Sequence, residues 1–162
     1  MKTRDELFLH FLKDMYYAER AILKSLPDLI GAAQSETLKQ ALQHHAEETK
    51  GQVERLDQVF KALGRPAEGV TCEAMVGLLQ ESDDVLKESG NAGPIRDAAI
   101  IACAQAVEHY EIARYGTLAQ WAKDMGRAEV ASLLDQSLQE EKQADATLSQ
   151  IAEGGVNKAA GV

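Results

Sequence analysis

The segment QAVEHYEIARYG, residues 105–116, sets Glu108 and Glu111 three residues apart on a stripe that otherwise reads as the buried face of a helix. That stripe runs Ile101, Ala104, Glu108, Glu111, Tyr115, Leu118 at steps of three and four. The same interruption recurs elsewhere: Glu19 stands between Met15 and Ile22, Glu141 between Leu134 and Leu148, and His45, Glu48 and Gln52 between Leu42 and Leu56. Ionised carboxylates held in a core repel one another and are poorly solvated, which costs several kcal/mol for each unpaired ion. Three arrangements would relieve that cost. The carboxyls could be protonated, because crowding raises their pKa. They could pair with bases, although Arg20, Arg114 and Lys142 fall on flanking faces. Or they could hold divalent metal ions, bridged and capped by carboxylates from several helices. The third is favoured. A set dominated by oxygen donors suits manganese, iron(II), magnesium or calcium better than copper or zinc.

Depth along the chain supports convergence. With a first hairpin turning near residues 33 and 34, Glu19 lies about 15 residues before the turn and Glu48 about 14 after it, near 22 Å from it at about 1.5 Å per residue. With a second hairpin turning near Gly126, Glu111 and Glu141 are each 15 residues away. The spacings of 29 and 30 residues form a weak internal repeat that brings at least four carboxylates into one layer.

The elements that must position this layer are all helical, for apolar residues recur at helical spacing and no stretch alternates as a strand would. The first helix is predicted from about Thr3 to the low thirties, with Pro27 able to kink or break it and a kink expected. The second opens on Ser35 and stops at Gly64-Arg65-Pro66. A shorter helix follows from about Cys72 to Glu88, where Cys72, Glu73 and Met75 read as packing and capping residues. The fourth starts at Pro94 and runs to about Met125, and the fifth spans about Ala128 to Ala152. Two hairpins joined by a long crossover describe an all-α four-helix bundle over residues 1–153, with a Gly-rich flexible tail at 154–162.

Composition narrows the function. At 162 residues the chain fits one domain, and its charge of −9 argues against nucleic acid or an anionic membrane as partner. No apolar run approaches the roughly 20 residues that span a bilayer. The two cysteines, Cys72 and Cys103, form no CxxC pair, and the start MKTRDELFLH has no apolar signal core, so a reduced, cytoplasmic protein is expected. Cys103 reads as a small buried residue and Trp121 as a packing or dimer-contact residue. His10 and His44 read as solvated, and His109 as an interhelical hydrogen-bond partner. Tyr16, Tyr17, Tyr110 and Tyr115 flank the layer as packing residues or as supports for carboxylates.

The stretches YYAERAI, HHAEETKGQVERL, QAVEHYEIARYG and LQEEKQAD, in this order, together with TCEAM and GPIRDAA, resemble the YciE/YciF group of bacterial stress-associated proteins within the ferritin-like superfamily. The resemblance covers all but about the last ten residues. It implies a ferritin-like bundle with a dinuclear iron or manganese centre, and a homodimer. The superfamily pattern is Glu on one helix and Glu-x-x-His on its partner, twice over. Glu19, Glu48, Glu111 and Glu141 match the carboxylates, and Glu108 matches the extra Glu of rubrerythrin-like variants. The histidines do not match: Gly51 and Ala144 stand in their places, which leaves His45, Gln52 and Asp145 as substitutes. By this likeness Glu48 and Glu141 would bridge two ions, Glu19 and Glu111 would cap them, Glu108 would move onto a metal as its charge changes, and oxygen or peroxide would be the small oxidant. The competing expectation is a non-enzymatic, dimeric interaction or protective protein whose polar layer sets helix register without functional metal.

Overall fold

A computed structural model describes residues 1–161. Five helices carry the fold: α1 (Arg4–Ala32), α2 (Glu36–Ala62), α3 (Glu73–Glu88), α4 (Pro94–Asp124) and α5 (Ala128–Ile151). A turn kinked at Gly155, Ala152–Val156, and the short α6 (Asn157–Ala160) follow. No strand occurs among the described residues. The starts follow from local chemistry. At α1 Thr3 and Glu6 form a reciprocal capping box, and at α2 the Ser35 hydroxyl accepts from the Leu38 N–H. Both α2 and α4 end in Schellman turns. Gly64 (φ +65°) and Gly126 (φ +71°) take the left-handed position there, and the next residues, Arg65 and Arg127, bond back to the Phe60 and Ala122 carbonyls.

α1 packs on α2 and α4, and α2 and α4 each pack on α5, which closes a four-helix ring. The hairpin turns lie at opposite ends of it. At one end Asp97, in the first turn of α4, accepts from the backbone N–H groups of Gln34 (2.7 Å) and Ser35 (2.8 Å), tying the α1–α2 turn to the start of α4. At the other, Arg127 at the start of α5 bonds Asp5 at the start of α1 (2.7 Å). Helices α2 and α4 therefore run in the same direction, and the crossover must travel back along the bundle. It does so by an extended segment laid against α1, where Val70 donates to the Lys13 carbonyl (3.3 Å) and Gly69 packs so close to Tyr17 that a Cβ there would meet it at 3.2 Å. The 16 residues of α3, about 24 Å of helix, complete the return. Asp97 is almost fully buried, so Asp97→Ala would leave two backbone donors without partners. A loss of about 2 kcal/mol, or roughly 4 to 8 °C in Tm by calorimetry, is expected.

Of the two outcomes weighed at Pro27, the break does not occur: α1 runs on through it, and the Ser25 hydroxyl donates to the Ile22 carbonyl just before it (2.9 Å). One sequence expectation changes. The segment expected as a flexible tail is instead folded: the chain kinks at Gly155 (φ +152°), the short α6 follows, both sides of the kink pack onto α4, and Val156 packs on the core, so tertiary burial overrides low intrinsic propensity.

The apolar core is divided. One cluster, built on Phe8, Leu12, Met15, Leu56, Phe60, Leu118 and Leu134, fills the end where α1 begins. The other, built on Ile22, Leu26, Leu38, Leu42, Ile100, Ile101 and Leu148, fills the end where α1 finishes. Between them lies a polar layer.

Candidate metal centre

Glu19, Glu48, Glu108, Glu111 and Glu141 each lie within two residues of their helix's midpoint. That explains why equal setbacks from two turns at opposite ends still give one height: a residue at mid-helix is level with its neighbours whichever way the chain runs.

Four side chains form the heart of the layer. One donor atom from each of His45, Glu108, Glu111 and Glu141 lies within 4.8 Å of the other three, and all four residues are buried. These donors are close enough together to hold a metal ion. Glu19 is also fully buried, beside Glu111 and Glu141, and accepts a hydrogen bond from the Tyr115 hydroxyl, itself inaccessible to solvent. Gln52 is buried with its Nε2 on Glu140 (3.0 Å).

Two of the expected donors stand apart. Glu48 is partly exposed at the edge of the layer, where His44 lies 3.3 Å from its Oε1. Asp145 turns away towards α4, accepting from Gln105 (3.0 Å) and lying 3.2 Å from His109. Four residues past Glu141 it starts on nearly the same face of α5, and its contacts with Gln105 and His109 draw the side chain to the α4 side of that face.

The electrostatics are those of crowded acids without a counter-charge. Burial, then the neighbouring Glu141, pushes Glu19 and Glu111 well above the usual carboxylate range. Burial and Glu141 raise Glu108 to about 11, and burial with nearby Glu48 and Glu140 raises Glu141 to about 7. Glu48 is raised too, mainly by burial. Burial holds His45 down at about 4, so its imidazole is neutral at pH 7, the form that binds metals. His45 and Glu108 meet at 3.3 Å as neutral groups, so their contact is not an ion pair.

Bases do not answer the acids. Arg55, which sequence reasoning missed, makes a two-pronged contact with Glu140 (2.8 and 2.9 Å) and bonds Ser137 (2.7 Å). Arg20 lies over the Tyr16 ring and Arg114 over Phe11, and Lys142 is exposed. Both oxygens of Glu111 and of Glu141, Oε2 of Glu19 and of Glu108, Nδ1 of His45 and Oε1 of Gln52 are buried without a hydrogen-bond partner. Native proteins tolerate few such groups, and a cluster of them within one layer has the donor chemistry of a cation site.

The family model for a domain of unknown function, DUF892, matches residues 3–161. Protein YciF of Escherichia coli K12 is 45% identical over 161 residues, covering 99% of this chain and 96% of YciF. The crystal structure of the E. coli stress protein YciF superposes with a TM-score of 0.91 over 98% of this chain and 99% of that one, at 45% identity. YcfI of Rhodopseudomonas palustris superposes with a TM-score of 0.88 at 49% identity, covering 91% of this chain and 94% of that one. With a family match across nearly its whole length and this degree of identity to YciF, the chain belongs to the DUF892 family.

Proposed function

We propose that the polar layer is a dinuclear centre for divalent metal, iron or manganese, in a cytoplasmic homodimer that serves the bacterial stress response. The observation that carries this is the set of buried, partnerless carboxylate oxygens contributed by three helices and faced by a neutral imidazole from the fourth. His45, Glu108, Glu111 and Glu141 supply the close donors, and Glu19 and Glu48 extend the set on α1 and α2. Charge favours two ions over one: a single divalent cation would leave three of the five glutamates unbalanced, and two leave one. Bound there, such ions would supply redox capacity towards oxygen or peroxide. The chain's own part is to orient donors and to hold protons. Tyr115 fixes one oxygen of Glu19 and leaves the other free, while Arg55 anchors Glu140, and Glu140 in turn anchors the Gln52 amide. The stress assignment rests on the description of E. coli YciF as a stress protein.

Protein purified without chelator should carry about two metal ions per chain by elemental analysis. The double variant Glu48→Ala, Glu141→Ala should lose most of that metal. Unchanged content would refute the donor assignment, and peroxide consumption by loaded protein would separate catalysis from simple binding. A second reading has its own support. The Arg55–Glu140–Ser137 network and the Tyr115–Glu19 bond are complete without an ion, and YcfI is described as a candidate structural protein. On that reading the carboxyls stay protonated and the dimer is an interaction or protective protein. Metal-free protein from cells grown with ample iron and manganese would favour it.

A further inference from the structure

A pocket of about 230 Å³ opens between α2 and α5 and reaches the layer. Ala41, His44 and Glu48 line one wall, Ala144 lies on the other, and His45 and Glu108 close the inner end. Two features make this more than a surface dimple. The groups at its floor are the buried His45 and Glu108, whose Nδ1 and Oε2 have no partner. Ala144, three residues past Glu141 on α5, also lines the pocket, and with Ala41 on the facing wall it presents only a methyl group there. The volume accommodates several waters at about 30 Å³ each, enough for a partly hydrated ion. A second pocket reaching His45 and Glu108, from the side of α1 and α3 past Ser25 and Cys103, has only about 20 Å³.

We infer that the α2–α5 pocket is the entrance through which divalent cations reach the carboxylate layer, with the partly exposed Glu48 as the first carboxylate they meet. The inference rests on the metal reading above. Electrostatics favour cations over anions: the partly exposed Glu48 at the rim is the acidic group that an entering solute meets first, and the floor behind it offers the donor atoms of His45 and Glu108. An oxidant using the same route must be small and uncharged, as hydrogen peroxide is and superoxide is not.

The closing experiment has two arms. In the first, manganese uptake by metal-free protein is followed over time for Ala41→Phe and Ala144→Phe, which narrow the pocket from opposite walls, and for Ser25→Leu, which narrows the second pocket. Each pocket-narrowing variant should load at least tenfold more slowly than the parent and reach the same final stoichiometry, while Ser25→Leu loads at the parent rate. Parent-like loading by both Phe variants, or slowing by Ser25→Leu alone, overturns the entrance. The second arm needs no bound metal. On a Cys103→Ser background, Ala144→Cys should react at least tenfold faster with a cationic ethylammonium methanethiosulfonate than with the anionic ethylsulfonate, beyond any preference shown by Gln120→Cys on the exposed face of α4. Equal preference at the two positions overturns the cation route. A parent protein that takes up no manganese would refute the metal centre in the first arm, and the thiol rates would still judge the pocket.

Discussion

Glu111→Leu is expected to raise the melting temperature of the metal-free protein and to abolish its metal binding. Glu111 is fully buried at the middle of α4, where no N–H or hydroxyl group reaches either of its oxygens and its one hydrogen-bonding contact is with the equally acidic Glu19. Burial, then Glu141, Glu19 and Glu108, already push its carboxyl well above the usual range. A buried polar group left without partners costs about 1 to 3 kcal/mol. Leucine has a similar volume, removes that cost and adds apolar contact between the two core clusters, so a net gain of about 2 to 4 kcal/mol is expected. For a chain of this size that is roughly 5 to 10 °C. The same change deletes one of four donors lying within 4.8 Å of one another and puts an apolar side chain in the middle of the set. Calorimetry in chelator reads the first effect and elemental analysis the second. A variant that melts lower without metal would mean that the protonated carboxyl contributes bonds of its own, and the layer would then be a hydrogen-bonded seam, not a cation site. Opposite signs for stability and for binding are the signature of a site kept for function.

The position of Glu111 was legible in the sequence because a carboxylate on an apolar stripe violates helical patterning in a way that periodicity detects directly. The same logic found Glu19, Glu108 and Glu141, and equal setbacks from the turns suggested a common height. That inference worked because all of them sit near mid-helix, which the sequence does not state. The failures have physical causes. Asp145 and Glu141 differ by four residues, and a spacing rule cannot tell that Gln105 and His109 on α4 draw Asp145 outward. Arg55 and Glu140 are 85 residues apart, each beside a residue of the stripe, so both read as ordinary polar surface until α2 and α5 meet. Glu48 matches the pattern and is placed at the layer's edge by its partly exposed face of α2. The helical turns beyond Ile151 are set by packing on α4, to which local propensity is blind.

The second large effect is on pH dependence: metal-free protein should become less stable as pH rises, and metal-loaded protein should not. Glu141 titrates near 7 in the fold against an ordinary value of 4.5, so between those pH values the unfolded chain has lost a proton that the folded chain retains. Folding then takes up a proton, and stability falls with rising pH by at most about 1.4 kcal/mol per unit for each such group, or about 3 kcal/mol for Glu141 across its window. Glu108, raised to about 11, extends the decline to alkaline pH, and Glu19 and Glu111 are displaced in the same direction. His45 acts with the opposite sign. Its pKa falls from 6.5 to about 4, so its contribution is present above 6.5 and is lost as pH drops towards 4. Above about pH 6.5 the glutamates are therefore unopposed, and the Tm of chelated protein should fall steadily from there to about pH 9. Bound cations replace those protons, so loaded protein should hold its Tm over the same range and shed metal on acidification instead. Melting curves at intervals across the range, with chelator and with manganese, read both limbs. A chelated protein whose stability is flat or rises between those limits would mean that the acids do not share one buried layer, and the metal centre built on them would fall with it.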